Sequence, residues 1–343
     1  MTERNARTAE PPPPAWGESF ARLRPHLRAL DDFLRAQLDG FEPEIHDLVE
    51  YCMDTSGKRI RPALVFFSGW RGPDQIPPAL VQAAAVVEMV HLATLVHDDI
   101  MDGAELRRSR PTAARRYGSD SAVLLGDALL AQAVHIAAQF PSTEVCQVVS
   151  AATRRVCAGE IAQTLRRGDT SITRDAYRRV IDLKTAELFR ISCLLGARLA
   201  GYGDGYVAAA AEFGRSLGVA YQIYDDLADF FGEEKRIGKT LGTDLAGGKV
   251  TLPLLILLEK LPGSERTELL DEIRKDLAPG IERWRAQMHE HGVFAAVVED
   301  IYAELKKGAA ILAPWAPLEP ARLLGQLAEL LRQQVDNLRG GGA

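Results

Sequence analysis

The chain has 343 residues, of which 47% are hydrophobic, and carries a formal net charge of −6. That composition supports a large buried core, and the acidic balance argues against a nucleic-acid partner. Four scattered cysteines (Cys52, Cys146, Cys157, Cys193) without CxxC spacing read as buried free thiols of a reducing compartment; with no apolar secretory run at the N-terminus, the expectation is a cytoplasmic protein.

Residues 1–15, with mixed charge and a proline run at Pro11–Pro14, are expected to form a disordered tail. Residues 16–338 are Ala-, Leu- and Arg-rich with helical periodicity and almost no alternating strand pattern, and residues 339–343 are expected to fray. Gly- and Pro-marked breaks, among them Gly40–Pro43, Gly69–Pro78, Gly201–Gly205 and Pro314–Pro320, divide this region into ten or more helices. No linker splits the middle. The prediction is one all-α domain, a large antiparallel helical bundle around a central apolar cavity. The longest aliphatic run, Leu252–Leu258, is too short to span a bilayer and contains Pro253, so at most peripheral membrane contact is expected.

The first chemically informative stretch is Gly57-Lys58-Arg59-Ile60-Arg61-Pro62. Gly57 permits an unusual backbone angle and Pro62 suits a first helical turn, so a cationic loop feeds a helix N-terminus, which is a phosphate-binding arrangement. Next, an apolar helical segment from Glu88 ends in Asp98-Asp99-Ile100-Met101-Asp102. Asp98 and Asp102 stack one turn apart, and His91 shares their face. Carboxylates so spaced repel one another unless a cation sits among them. Hard oxygen ligands suit Mg²⁺, which binds one or two carboxylates and completes its shell with substrate phosphates and water. Arg107-Arg108 follows directly, and guanidinium matches phosphate oxygens. Lys184-Thr185 lies mid-helix.

The acidic pattern returns in Gln222-Ile-Tyr-Asp225-Asp226-Leu-Ala-Asp229, with Gln222, Asp225, Asp226 and Asp229 on one helical face. Either cluster alone would pass for a solvated face; two, each closing an apolar helix, read as facing walls of one cavity. Gly238-Lys239 and Gly248-Lys249 bracket the following loop as a mobile cationic lid.

The motifs GKRIRP (57–62), HDDIMD (97–102), LRRSRPT (106–112), GEIAQ (159–163), KTAELF (184–189), YQIYDDLADF (221–230) and GGKVTLP (247–253), in that order, resemble the trans-type polyprenyl diphosphate synthases over residues 20–335. One departure is Ser109, where the family usually carries glycine; it removes no donor. The resemblance implies head-to-tail 1'-4 condensation of isopentenyl diphosphate with an allylic prenyl diphosphate. It implies three Mg²⁺ per site, held by Asp98, Asp102 and Asp225, with Asp99, Asp226 and Asp229 acting through water or hydrogen bonds. It assigns Arg107, Lys184, Lys239 and Lys249 to the allylic diphosphate, Lys58, Arg61, His91 and Arg108 to isopentenyl diphosphate, and Thr185 and Gln222 to the neighbourhood of the allylic cation. A homodimer is expected on the same ground.

Product length should follow the depth of clear wall below Asp98. A helix rises 1.5 Å per residue, so each isoprene unit needs about three or four residues. Val87, Val90, Ala93 and Thr94 lie on or near that face and none is aromatic, which predicts a product of C20 or longer. Three other readings share parts of the pattern. A class I terpene cyclase would lack the GKRIRP loop and usually a second DDxxD. A head-to-head synthase would not need the isopentenyl pocket. A non-catalytic subunit of a heteromeric synthase would have lost acidic residues that are intact here.

Overall fold

The computed structural model describes residues 17–53, 57–108, 110–232, 248–274 and 281–340. The N-terminal tail, Ser109 and Lys239 lie outside them. The chain is helical nearly throughout: α1 (Gly17–Ala36), α2 (His46–Met53), α3 (Ile60–Ser68), α4 (Pro78–Met101), α5 (Ala113–Tyr117), α6 (Ser119–Ala138), α7 (Glu144–Thr164), α8 (Arg174–Ile181), a π-helical turn (Asp182–Ala186), α9 (Glu187–Leu199) and α10 (Asp204–Phe231). After the undescribed stretch come α11 (Leu252–Lys260), α12 (Gly263–Arg274), α13 (Ile281–Glu290), α14 (Val293–Leu312) and α15 (Glu319–Gly340). One small departure from all-helix is a two-stranded antiparallel hairpin, β1 (Leu106–Arg107) with β2 (Arg110–Pro111). It is too short to leave an alternating signal in the sequence.

Helix α4 is the axis. Pro78 opens it, where a missing N–H costs nothing, and its apolar residues run all round rather than along one stripe. Such a helix must be covered on every side, and α1, α3, α6 and α9 pack against it. Helix α10 is the second long rod, flanked by α9 and α14. The largest fully buried side chains include Trp70, Phe66, Phe67, Phe189, Phe213 and Tyr206, from α3, α9 and α10 or their ends, and Trp284 of α13. Backbone contact replaces side-chain contact where α3 meets α9. A Cβ on Gly196 would stand 2.1 Å from both the Ser68 Oγ and the Val65 carbonyl oxygen, and one on Gly69 would stand 2.4 Å from the Gly196 carbonyl oxygen.

Two expectations need correction. Helices Pro78–Met101 and Ser119–Ala138 are each long and apolar enough to cross a membrane by length and composition. An aliphatic-run search misses them because Ala, Thr and His interrupt the runs. For α4 the apolarity is explained by burial in the core; α6 instead leaves Val123, Leu124 and Val134 at the surface. Nor are all the cysteines buried: Cys52 and Cys193 are, Cys146 is half-covered and Cys157 is exposed.

Gly196→Ala tests the close crossing. Overpacking against backbone costs about 1–3 kcal/mol. Chemical denaturation should show a loss in the upper half of that range, and a change below about 0.5 kcal/mol would contradict the geometry.

Candidate active site

The C-terminal end of α4 carries the first acidic cluster, and each of its carboxylates meets a base from another element. Asp99 is buried, and both its oxygens accept from Arg107 at 2.6–2.9 Å. The hairpin is what turns Arg107 back onto α4. Asp102 accepts from Arg167 Nη2 at 2.5 Å on Oδ1 and from Lys249 Nζ at 2.8 Å on Oδ2. Burial by itself would raise Asp102, but the Lys249 hydrogen bond and charge, with Lys184 and Arg167, hold it below the usual carboxylate range. Asp98 has the weakest compensation. Lys184 Nζ stands 3.6 Å away, shared with Glu160 and with Gln163, whose Oε1 accepts from it at 3.0 Å. Burial therefore pushes Asp98 up to about 6, with Glu160 and Asp102 adding to the rise and Lys184 opposing it.

Lys184 and Thr185 lie mid-helix as expected, but in a π-turn joining α8 to α9 without a break, where one extra residue per turn swings them out of the α-helical row. Three features hold this turn. Gly159 on α7 lets it approach, since a Cβ there would lie 2.7 Å from the Lys184 nitrogen. Asp182, at its start, accepts from Arg215 of α10 at 2.5 and 3.0 Å, with Arg155 of α7 at 3.6 Å. Glu187, just past its end, is buried against Arg155 at 3.0 Å and Arg190 at 2.7 Å.

On α10 the second cluster is arranged as a chain of hydrogen bonds. Thr185 Oγ1 donates to Gln222 Oε1 at 2.7 Å, and Gln222 Nε2 donates to Asp226 Oδ1 at 2.8 Å. Tyr177 Oη donates to Asp226 Oδ2 at 2.5 Å. Both oxygens of Asp226 are thus occupied, Asp229 is fully buried and Asp225 is half-buried beside them. A small cavity is lined by Gln163, Lys184, Thr185, Gln222, Asp226 and Lys249, with Val180, Ile181 and Thr251. Lys184 and Lys249 also touch Asp98 and Asp102, so the acids of α4 meet this space through two of its lining lysines.

The cationic loop before α3 forms a second group. Arg61 Nη1 donates to His91 Nε2 at 3.0 Å, and the guanidinium lies 5.0 Å over the Phe189 ring. Desolvation, then the charges of Arg61 and Arg108, hold His91 well below its ordinary value, so it is a neutral acceptor here. The unusual backbone angle belongs to Arg59 (φ 47°), not to Gly57. Gly57 serves instead as clearance, because a Cβ there would stand 2.7 Å from Arg108 Nη1. Arg59 donates at 2.8 Å to Glu88, a buried acid in an otherwise apolar stretch, and at 3.3 Å to Asp31. Lys58 is exposed at the lip. Arg61, His91 and Arg108 are therefore neighbours, and Lys58 follows Gly57, the glycine that Arg108 approaches.

Val87, Val90 and Ala93 are buried and Thr94 half-buried, its hydroxyl donating to the His91 carbonyl at 2.7 Å. None of the four lines the cavity above. Four residues that share the site escaped sequence reading: Tyr177, Arg167, Glu88 and Glu160. An acid interrupting the apolar helix α4 was the available signal for Glu88; the others depend on tertiary packing.

The donor set suits a hard divalent ion. Among the described residues no three His, Cys, Asp or Glu side chains form a ready cage. The half-compensated Asp98, a turn from Asp102, matches an ion that draws its remaining ligands from diphosphate and water.

The polyprenyl synthetase family profile matches residues 42–282. An octaprenyl diphosphate synthase of Haemophilus influenzae is 32% identical over 73% of this chain and 79% of its own length. Component 2 of the heptaprenyl diphosphate synthase of Bacillus subtilis is 34% identical over 71% and 76%. A polyprenyl synthase structure from Caulobacter crescentus CB15, complexed with calcium and isoprenyl diphosphate, superposes with a TM-score of 0.82 at 29% identity, covering 95% of this chain and 98% of that one. An all-α bundle with two aspartate clusters on one cavity is thus the isoprenyl diphosphate synthase architecture. This chain belongs to the polyprenyl synthetase family: it is a metal-dependent prenyltransferase that condenses isopentenyl diphosphate with an allylic diphosphate.

Tyr177→Phe isolates the Asp226 anchor. A hydrogen bond to a charged group contributes about 1.5–3 kcal/mol, so kcat should fall about tenfold or more while the KM for isopentenyl diphosphate stays within about twofold. An unchanged kcat would contradict a role for this bond in holding the second cluster.

Proposed function

We propose that the chain is a cytoplasmic, homodimeric, Mg²⁺-dependent synthase that extends an allylic primer to an all-trans polyprenyl diphosphate of C20 or longer. The observation that carries this reading is the single cavity bordered by Asp98 and Asp102 through Lys184 and Lys249, and by Gln222 and Asp226 directly. Asp98, Asp102 and Asp225 would hold three Mg²⁺, which when bound neutralise diphosphate as the C1–O bond breaks. Arg107, Lys184, Lys249 and, outside the described residues, Lys239 grip the allylic diphosphate. Lys58, Arg61, His91 and Arg108 place the second substrate so that its double bond faces the allylic C1.

Diphosphate is a poor leaving group until its charge is matched. Fixed cations stabilise it more as negative charge builds up than before, which is the condition for lowering the barrier. The C1–O bond breaks, the alkene C4 bonds to the allylic C1, and the released diphosphate takes the final proton. Thr185 and Gln222 present oxygens toward the transient cation, and the apolar side chains around them exclude water that would trap it. The names of the Haemophilus and Bacillus relatives, octaprenyl and heptaprenyl, support a long product. The exposed Val123, Leu124 and Val134 of α6 support a self-association face.

A second reading is favoured by the Bacillus relative, whose name makes it one component of a synthase. Incubating the purified chain with Mg²⁺, isopentenyl diphosphate and farnesyl diphosphate, then weighing the products, tests both. Turnover by the chain alone is expected, with products beyond C20; turnover only after a partner chain is added would favour the second reading.

Asp98→Asn and Asp225→Asn should each lower kcat by about a hundredfold or more with the helical content unchanged in circular dichroism; near-wild-type turnover would contradict the metal assignment. Ala93→Phe should shorten the product, and an unchanged product mass would remove α4 from chain-length control.

A further inference from the structure

Asp102 is approached by two cations from two different loops, and only one of them has been given a role. Lys249 Nζ donates to Oδ2 at 2.8 Å, and Arg167 Nη2 donates to Oδ1 at 2.5 Å. The two loops are stapled to each other. Gly168 N–H donates to the Gly248 carbonyl at 3.0 Å, and both glycines adopt left-handed backbone angles, φ 73° and 67°. The two segments are in van der Waals contact, a Cβ on Gly248 standing 3.4 Å from the Gly168 nitrogen. The residues that carry the two cations, Arg167 and Lys249, directly neighbour the stapled pair. Their charges therefore reach the acidic end of α4 from two segments joined beside them.

Arg167 is also incompletely used. Nη1 donates to the Met101 carbonyl at 3.0 Å and Nη2 to Asp102, while Nε is buried with no hydrogen-bond partner among the described residues. A buried N–H left without an acceptor is unfavourable. A planar guanidinium is built to present paired donors to carboxylate or phosphate oxygens. Arg167 lies beside the cluster where the allylic diphosphate is expected, in the same relation to Asp102 as Lys249. A divalent ion on Asp102 would take over its negative charge and repel the guanidinium, and diphosphate oxygens would then be the nearest anions left for it.

We propose that Arg167 is a further diphosphate-binding residue of the allylic site, stapled to Lys249 through Gly168 and Gly248, which passes from Asp102 to the allylic diphosphate when the site is loaded. This rests on the functional reading above. It assigns the segment after α7 to substrate binding, where no motif pointed.

The test is calorimetric binding of the non-ionising S-thiolo analogue of farnesyl diphosphate, with Mg²⁺, to the full chain, beside steady-state kinetics of Arg167→Gln and Arg167→Lys. Arg167→Gln should weaken analogue binding about tenfold and raise the allylic KM by a similar factor, with the isopentenyl diphosphate KM within twofold of wild type. Arg167→Lys, keeping the charge without the fork, should recover part of the loss. Analogue affinity and allylic KM of Arg167→Gln both within twofold of wild type would overturn the assignment of Arg167 alone. Failure of the wild-type chain to bind the analogue would overturn the functional reading with it.

Discussion

Everything at this site depends on a debt of charge at the buried end of α4. Three carboxylates within five residues terminate a helix whose other faces are committed to the core. Charge that is taken out of water must be matched or neutralised. The protein answers Asp99 with Arg107 and Asp102 with Lys249 and Arg167, and leaves Asp98 with a lysine it shares with Glu160. The unequal treatment separates the aspartates by role. Asp99, gripped through both oxygens by Arg107, braces the structure, whereas Asp98 and Asp102 are the pair proposed to take a cation brought from outside.

The second cluster follows the same logic with neutral donors. Tyr177 and Gln222 saturate Asp226, and Thr185 orients Gln222, so α8, the π-turn and α10 are locked through one carboxylate. The π-turn would not persist by its own energetics. It is held by the Gly159 clearance and by the arginines on Asp182 and Glu187, which anchor both of its ends and leave Lys184 and Thr185 facing the cavity.

Much of this was legible in the sequence because it is periodic or repeated. The DDxxD spacing fixes which aspartates share a face, and the apolar run before it marks a core helix. The helical character of the chain follows from the same periodicity. What escaped was set by tertiary approach. Tyr177 lies 49 residues from its partner and Arg167 lies 65 from its own, and neither belongs to a spaced pattern. The π-turn is invisible because its residues have ordinary helical propensity. Gly57 was read as a backbone-angle glycine when its neighbour Arg59 takes that angle and Gly57 provides room for a guanidinium. Local rules cannot tell these two uses of glycine apart.

The central claim is that the acids of α4 and α10 act on one diphosphate through shared divalent ions. Anomalous diffraction from crystals of the chain grown with Mn²⁺ and an unreactive allylic diphosphate analogue tests it most directly. The account predicts metal peaks coordinated by Asp98 and Asp102 and a further peak at Asp225, all bridged by oxygens of the same diphosphate. Peaks at one helix only, or a diphosphate bound away from the cavity between them, would contradict it.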